Sequence, residues 1–350
     1  MNWVFICESI QEDRPVLADT RARIRAFADH PAIHSMSVIT LNSGAAPLGQ
    51  GIQVHALRQG RQSRLRVIWN FFITWLRIGR LQRVDVAYVY MCPIYLLLLC
   101  PMRWLLGIKV AMWYGHTSAN WFNRFLIRNF SDVWLTSNQS MATFKSANLR
   151  LVGHGVDRNK FNPMNERKKF DLVTVGRVTP VKKIEVILDA LEKCRSLYGR
   201  NYTLNIIGKS TGPGDSQYAK EIKSRINGAG LQEYVTFSGE IPHEQLPAAL
   251  RCCRVFVFTV PGGIGKATLE AMACGLPLVI ASPGAEDFFD YGLEDWFICA
   301  EDAHSVANCI NKVLQASEPE LAEIHQNMER LMLERYTLDK FVDRVVGTLS

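Results

Sequence analysis

VFVFTVPGGIGKATLEAMACGLPLVIAS, residues 255–282, carries two strand patterns and one helix pattern in a single short stretch. Val255–Thr259 is a β-branched and aromatic run of the kind that forms a buried strand. A glycine-rich turn, Pro261–Gly265, follows it. Lys266–Cys274 then reads as a helix, which Gly275 and Pro277 bring to an end. Pro277–Ala281 is a second apolar run. Strand, helix and strand in this order form a crossover unit, and such units lay their strands parallel in one sheet.

The same alternation runs back through the second half of the chain. Strands are expected at Asp171–Val175, Thr203–Ile207 and Tyr234–Ser238, with helices at Ile184–Ser196, Gln217–Ala229 and His243–Arg251. The first half repeats the rhythm less clearly, with strands expected at Trp3–Ile6, Ser37–Leu41, Val84–Tyr90, Lys109–Tyr114 and Val133–Thr136. The fold class is therefore α/β, with two Rossmann-like, doubly wound parallel-sheet domains. The polar segment NPMNERKK, residues 162–169, is the natural linker. The expected division is 1–162, 163–335 and a terminal helix, 336–350, that crosses back to the first domain. Two such domains would face each other across a cleft, and ligands of each sheet would bind at the carboxyl ends of its strands.

Two motifs sit at such ends. GRVTPVKK, residues 176–183, follows a strand directly. Gly176 lets the backbone turn away from the sheet. Arg177 and Lys182 then place two cations where a leaving diphosphate could be stabilised. In isolation the same residues would suit a solvated basic turn. The second motif is the glycine-rich turn opening the helix at Lys266. Free amides and the helix dipole converge there, Gly263 and Gly265 remove side chains that would keep a phosphate away, and Lys266 adds charge. Glu270, one turn on, is placed to accept hydrogen bonds from a ribose diol. Alone, this loop would equally suit a close-packed turn.

Taken together, the motifs resemble the retaining glycosyltransferase family four, which has the GT-B fold. The likeness runs over about residues 85–315 and is specific over GRVTPVKK and GGIGKATLEAMACGLPLV. LTSNQSM, GHGVDRNKFNP, LNIIGKS, VTFSGEIPHEQL and PGAEDFF support it. The resemblance implies a UDP- or GDP-sugar donor, held without cofactor or metal. By it, Arg177 and Lys182 hold the donor diphosphate, with Gly176 at the turn. The amides around Gly263, Ile264, Gly265, Lys266 and Ala267 help hold phosphates and sugar, Glu270 binds the ribose, and Ile241 lines the base. His116, in WYGHTS, matches a position facing the donor sugar, where a histidine could bond a hydroxyl or assist a proton transfer. A structural histidine at a strand end is the other reading.

This sequence departs from the family in two places. The family's paired glutamates would fall at 262 and 270, and position 262 is glycine. The glycine-rich loop expected after the first strand is replaced by CESIQEDRP, residues 7–15. Retaining transfer of a sugar to a glycan or lipid-linked acceptor, in cell-surface polysaccharide or glycolipid assembly, is the expected function. A nucleotide-sugar epimerase or hydrolase and a non-catalytic binding module are the alternatives.

Charge is shared unevenly. Residues 1–165 hold 19 Lys/Arg and 8 Asp/Glu, a balance of +11, whereas 166–350 hold 21 and 25, a balance of −4. A basic half suits an anionic partner, such as a phosphate-rich membrane surface, which is the expectation, or a phosphorylated acceptor; no nucleic-acid motif is present. Arg61–Arg83 places Trp69, Phe71, Phe72, Trp75 and Leu76 among six arginines. That pattern fits an interfacial helix as well as a core helix with snorkelling arginines. The apolar stretch Tyr88–Leu106 is broken by Pro93, Pro101 and Arg103, and reads as strand, turn and helix rather than a membrane span. Nine scattered cysteines without metal spacing suit buried thiols in a reducing compartment. The start, MNWVFICESIQEDRP, lacks a signal-peptide pattern, so a cytoplasmic chain, peripheral on the inner membrane face, is expected.

Overall fold

The computed structural model describes residues 1–11, 19–42, 48–49, 51–58, 60, 62–115, 120–137 and 146–350. The chain forms two compact units. Unit 1 comprises Met1–Gly155 with Leu338–Ser350, and unit 2 comprises Val156–Thr337.

In unit 1 the strands are β1 (Asn2–Ser9), β2 (Ser35–Asn42), β3 (Ile52–Ala56), β4 (Val86–Tyr90), β5 (Lys109–Trp113), β6 (Val133–Thr136) and β7 (Leu149–Leu151). They form one sheet in the order β3-β2-β1-β4-β5-β6-β7, and every pairing is parallel. Trp3 to Cys7, in the centre of β1, are fully buried without alternation, as a strand covered on both faces requires. Helices α1 (Thr20–Ala28) and α12 (Leu338–Leu349) share a core cluster on one face. Helices α2 (Arg64–Leu81), α3 (Tyr95–Leu106) and α4 (Trp121–Phe130) share the cluster on the other.

The core-helix reading of the 61–83 segment holds for one face of α2, and the other face is open to solvent. Phe71, Trp75 and Ile78 are buried, whereas Leu65, Trp69, Leu76 and Leu81 are exposed. The Tyr88–Leu106 stretch is the end of β4, a turn and α3, with Pro101 inside the helix. No helix among the described residues is long and apolar enough to cross a membrane. The edge strands β3 and β7 have no counterpart among the sequence expectations. They are short, half-exposed and lack a clear period.

Unit 2 has β8 (Phe170–Val175), β9 (Leu204–Ile207), β10 (Val235–Gly239), β11 (Cys253–Phe258) and β12 (Leu278–Ile280), all parallel in the order β10-β9-β8-β11-β12. Its helices are α5 (Ile184–Tyr198), α6 (Pro213–Gly228), α7 (Leu246–Arg251), α8 (Lys266–Ala273), α9 (Leu293–Phe297), α10 (Ala303–Leu314) and α11 (Glu318–Leu331). The polar segment 162–169 is not a free linker. The division falls at Gly155/Val156, because Phe161 is buried in the unit 2 core and Arg251 Nε donates to the Asn162 carbonyl at 2.9 Å.

Helix α12 is fixed to unit 1 by an aromatic cage around a buried cation. The Arg23 guanidinium lies 4.6 Å from the Phe341 ring centre, 5.4 Å from Trp113 and 5.6 Å from Tyr90, and its Nε donates to Asp19 at 2.7 Å. Phe341 also meets Phe27 edge-on at 6.1 Å. Phe341→Ala leaves a void and strips one wall from the cage, so it is expected to destabilise unit 1 by about 3–5 kcal/mol. Hydrogen exchange should show β1 and β4 losing protection while β8 and β11 keep theirs.

Candidate functional site

In unit 2 the strand order reverses between β8 and β11, since β9 and β10 extend the sheet on one side of β8 and β12 on the other. The loops leaving the carboxyl ends of these two strands diverge, and the crevice between them is where such sheets take ligands. Those loops are GRVTPVKK and the glycine-rich turn.

Close backbone approach shapes the first loop. Gly176 has φ +140°, and a Cβ on it would lie 2.6 Å from both Cε and Nζ of Lys182. Gly208, just past β9, has φ +143°, and a Cβ there would lie 1.9 Å from the Gly176 carbonyl oxygen. Only glycine fits either position. The Lys182 side chain folds back over Gly176, with Nζ 3.4 Å from the Val175 carbonyl and 5.5 Å from the Phe258 ring centre. Burial pushes the Lys182 ammonium down, and the Arg177 charge adds to the effect, giving a pKa of about 8. Arg177 itself is exposed and pairs with no carboxylate of the described residues. Lys183 takes another role: it adopts a left-handed φ of 46° at the start of α5 and pairs with Glu301.

The second loop is joined to the first, since Thr259 Oγ1 donates to the Lys182 carbonyl at 2.6 Å. Gly262 and Gly263 have φ of +98° and +99°. Gly263 does not offer an amide: its N–H donates to Ser282 Oγ at 3.2 Å, and the Ser282 hydroxyl returns a bond to the Gly263 carbonyl at 2.8 Å. Ile264 is a core residue at 8% exposure, and Ile241 and Ala267 pack half-buried against the same core. Gly265 caps α8, and a Cβ there would press within 3.3 Å of Phe258. The amides suited to a ligand are thus those of the first helical turn, Lys266 and Ala267. His116 lies outside the described residues.

Glu270 is 3% exposed, so it is no surface helix residue. Lys266 Nζ lies 3.1 Å and His243 Nε2 2.9 Å from its Oε1, and no hydrogen bond to Oε2 is found among the described residues. Lys160 Nζ in turn lies 2.8 Å from His243 Nδ1. An ammonium can only donate, so Nδ1 accepts and the Nε2–H points at the carboxylate. Burial pushes the Glu270 carboxyl up, but Lys266 and then the His243 bond outweigh it and hold the group below the usual carboxylate range. His243 and Lys160 carry no sequence signal of their own, because the contacts span 27 and 83 residues. Helix α7 begins at Leu246 rather than at His243, with Pro247 in its first turn, a position proline favours.

Because Glu270 is depressed in the folded state, the stability it contributes is present above about pH 4.3 and fades as pH falls through its lowered pKa. His243→Ala is expected to cost about 1.5–3 kcal/mol near pH 7, the range for a hydrogen bond to a charged group. His243→Gln, which keeps an N–H donor, should recover part of it. Urea unfolding at pH 7 and pH 3.5 measures both effects, and the gap between wild type and Glu270→Gln should narrow at the lower pH.

Residues 156–330 match the family model described as glycosyl transferases group 1, a span close to that of unit 2. The lipopolysaccharide core biosynthesis mannosyltransferase LpsB of Rhizobium meliloti is 32% identical over 180 residues, 47% of this chain and 49% of that protein. A GDP-mannose-dependent α-(1-6)-phosphatidylinositol monomannoside mannosyltransferase of Mycolicibacterium smegmatis is 27% identical over 205 residues, 53% of this chain and 52% of that protein. The chain thus spans about half the length of these curated relatives. Among solved structures, Anabaena HepE in complex with UDP-glucose superposes with a TM-score of 0.73 at 18% identity, covering 100% of this chain and 99% of that one. The fold is that of the GT-B glycosyltransferases, two α/β domains each built on a parallel sheet.

Proposed function

The chain belongs to the glycosyl transferases group 1 family, and we propose that it moves a hexose, with mannose preferred, from a GDP-sugar to a lipid-linked saccharide at an anionic membrane surface. One observation carries this reading. The cations Arg177 and Lys182 leave the end of β8, and the Lys266 amide and Glu270 carboxylate open α8, so both flank the same reversal of strand order. A nucleoside diphosphate has matching chemistry, with a doubly charged diphosphate next to a ribose diol.

In the proposed step the bond between the sugar's anomeric carbon and the diphosphate oxygen breaks, and an acceptor hydroxyl oxygen bonds to that carbon and releases its proton. The electron pair stays on the departing nucleoside diphosphate, where Arg177 and Lys182 stabilise the growing charge. Glu270 Oε2 accepts from the ribose. Retention of anomeric configuration is proposed from the resemblance to the retaining family. Gly262 puts no carboxylate beside the sugar from its loop. Mannose and the guanine base are favoured by the relatives named for GDP-mannose, with a UDP-sugar as the competitor that the HepE complex suggests.

Incubation with a panel of labelled GDP- and UDP-sugars and a membrane extract tests the assignment. GDP-mannose is expected to give labelled lipid-extractable product. Free nucleoside diphosphate without labelled acceptor would instead mean a hydrolase or epimerase. Arg177→Ala and Lys182→Ala should each lower turnover by roughly 10²-fold. Lys182 also gives a pH signature. Below about pH 8 it binds the diphosphate as an ammonium; above that, binding must first take up a proton. Affinity for GDP measured by calorimetry should therefore weaken by up to about tenfold per pH unit above 8. In Lys182→Arg that dependence should be absent.

A further inference from the structure

We propose that unit 1 docks flat onto an anionic lipid bilayer through the outer face of the α2–α3–α4 layer. All three helices bury one side against the same face of the sheet, so their other sides form a common outer surface. That surface is unusually apolar for one facing water. Each helix exposes one tryptophan: Trp69 at 66%, Trp104 at 80% and Trp121 at 75%. Leu81, Leu105 and Phe125 are also exposed on the same helices, at 73%, 82% and 50%. Exposed aromatic residues on every helix of one layer go beyond the scattered single apolar residues that are ordinary on a soluble surface.

Charge identifies what covers it. Residues 62–131 contain nine Lys/Arg and a single acidic residue, Asp85. Asp85 accepts from the Asn2 amide at 2.8 Å and lies 3.7 Å from Arg83 Nε, so it is already committed. Arg64, Arg66, Arg77, Arg80 and Arg128 are exposed and pair with no carboxylate of the described residues. A second copy of this surface would bring arginines against arginines. An anionic bilayer supplies the missing negative charge over an extended plane, and tryptophan is the side chain best suited to its headgroup boundary. The 61–83 segment alone accounts for one edge of this surface. The Trp104–Leu106 end of α3 and the Trp121–Phe125 start of α4 enlarge it to the whole layer.

Such docking deepens the lipid-linked-acceptor reading and rests on it for its purpose, although the exposure and charge pattern stand without it. Sedimentation of the full chain with phosphatidylcholine vesicles containing graded phosphatidylglycerol tests it. Wild type should pellet with anionic vesicles, poorly with neutral ones, and less as salt is raised. Trp104→Gln with Trp121→Gln is expected to weaken partitioning at least about tenfold. Arg64→Gln with Arg128→Gln should weaken it only for anionic vesicles. GDP affinity, measured on the same samples, should be unchanged in both variants, which shows that they fold and keeps a failure of the donor assignment separate from a failure of docking. Equal recovery in the supernatant at every lipid composition and low salt would overturn the proposal. So would a self-association that the tryptophan variant abolishes, which would make the face a contact between copies.

Discussion

A carboxylate nearly closed off from water has to find its counter-charges within the protein, and Glu270 is in that position. Its neighbours come from separate places in the chain. Lys266 lies one helical turn before it, His243 on the loop after β10, and Lys160 on the approach to β8. Meeting the demands of one charge therefore fixes three segments around the carboxyl ends of the strands. The contact between Gly176 and Gly208 does the same for β8 and β9 by sterics alone, because no side chain fits between those backbones. Arrangement of the site and stability of the loops are in this sense one problem.

The two units solve the burial of charge differently. In unit 2 the buried ion sits among hydrogen-bonding partners on the helix that follows β11, an interior strand of the sheet. In unit 1 the buried Arg23 sits among ring faces, with one carboxylate to balance it. In the first arrangement both contacts fall on Oε1 of Glu270, and none on Oε2 among the described residues. The second is closed around its cation and serves packing.

Much of this architecture was legible in the sequence. The long apolar strands and the punctuation by Gly275 and Pro277 placed the central strands within one to three residues, since a buried parallel strand tolerates little else. The ends of β8 and β11 could be read as loops with chemistry because glycine and lysine occur there against the apolar trend. Contacts that depend on distant partners were not legible. The Gly263–Ser282 exchange turns an expected phosphate donor into a structural bond, and Ile264 into core. The two faces of α2 required knowing which side the sheet lies on. The segment 162–169 reads as a linker by polarity, yet its neighbour Phe161 anchors it.

The return of α12 to unit 1 has a consequence for how the protein is made. Val342, Val345 and Val346 complete a core whose sheet is synthesised first, but they reach the solvent only after the whole of unit 2. At about 5–20 residues per second, the chain from Val156 to Thr337 takes on the order of ten to forty seconds to emerge. Throughout that interval one face of the first sheet, Trp3 and Phe5 included, has α1 over it but lacks α12. The core clusters of the later unit are built from its own residues, so in vectorial synthesis the second half has its full complement of core before α12 completes the first.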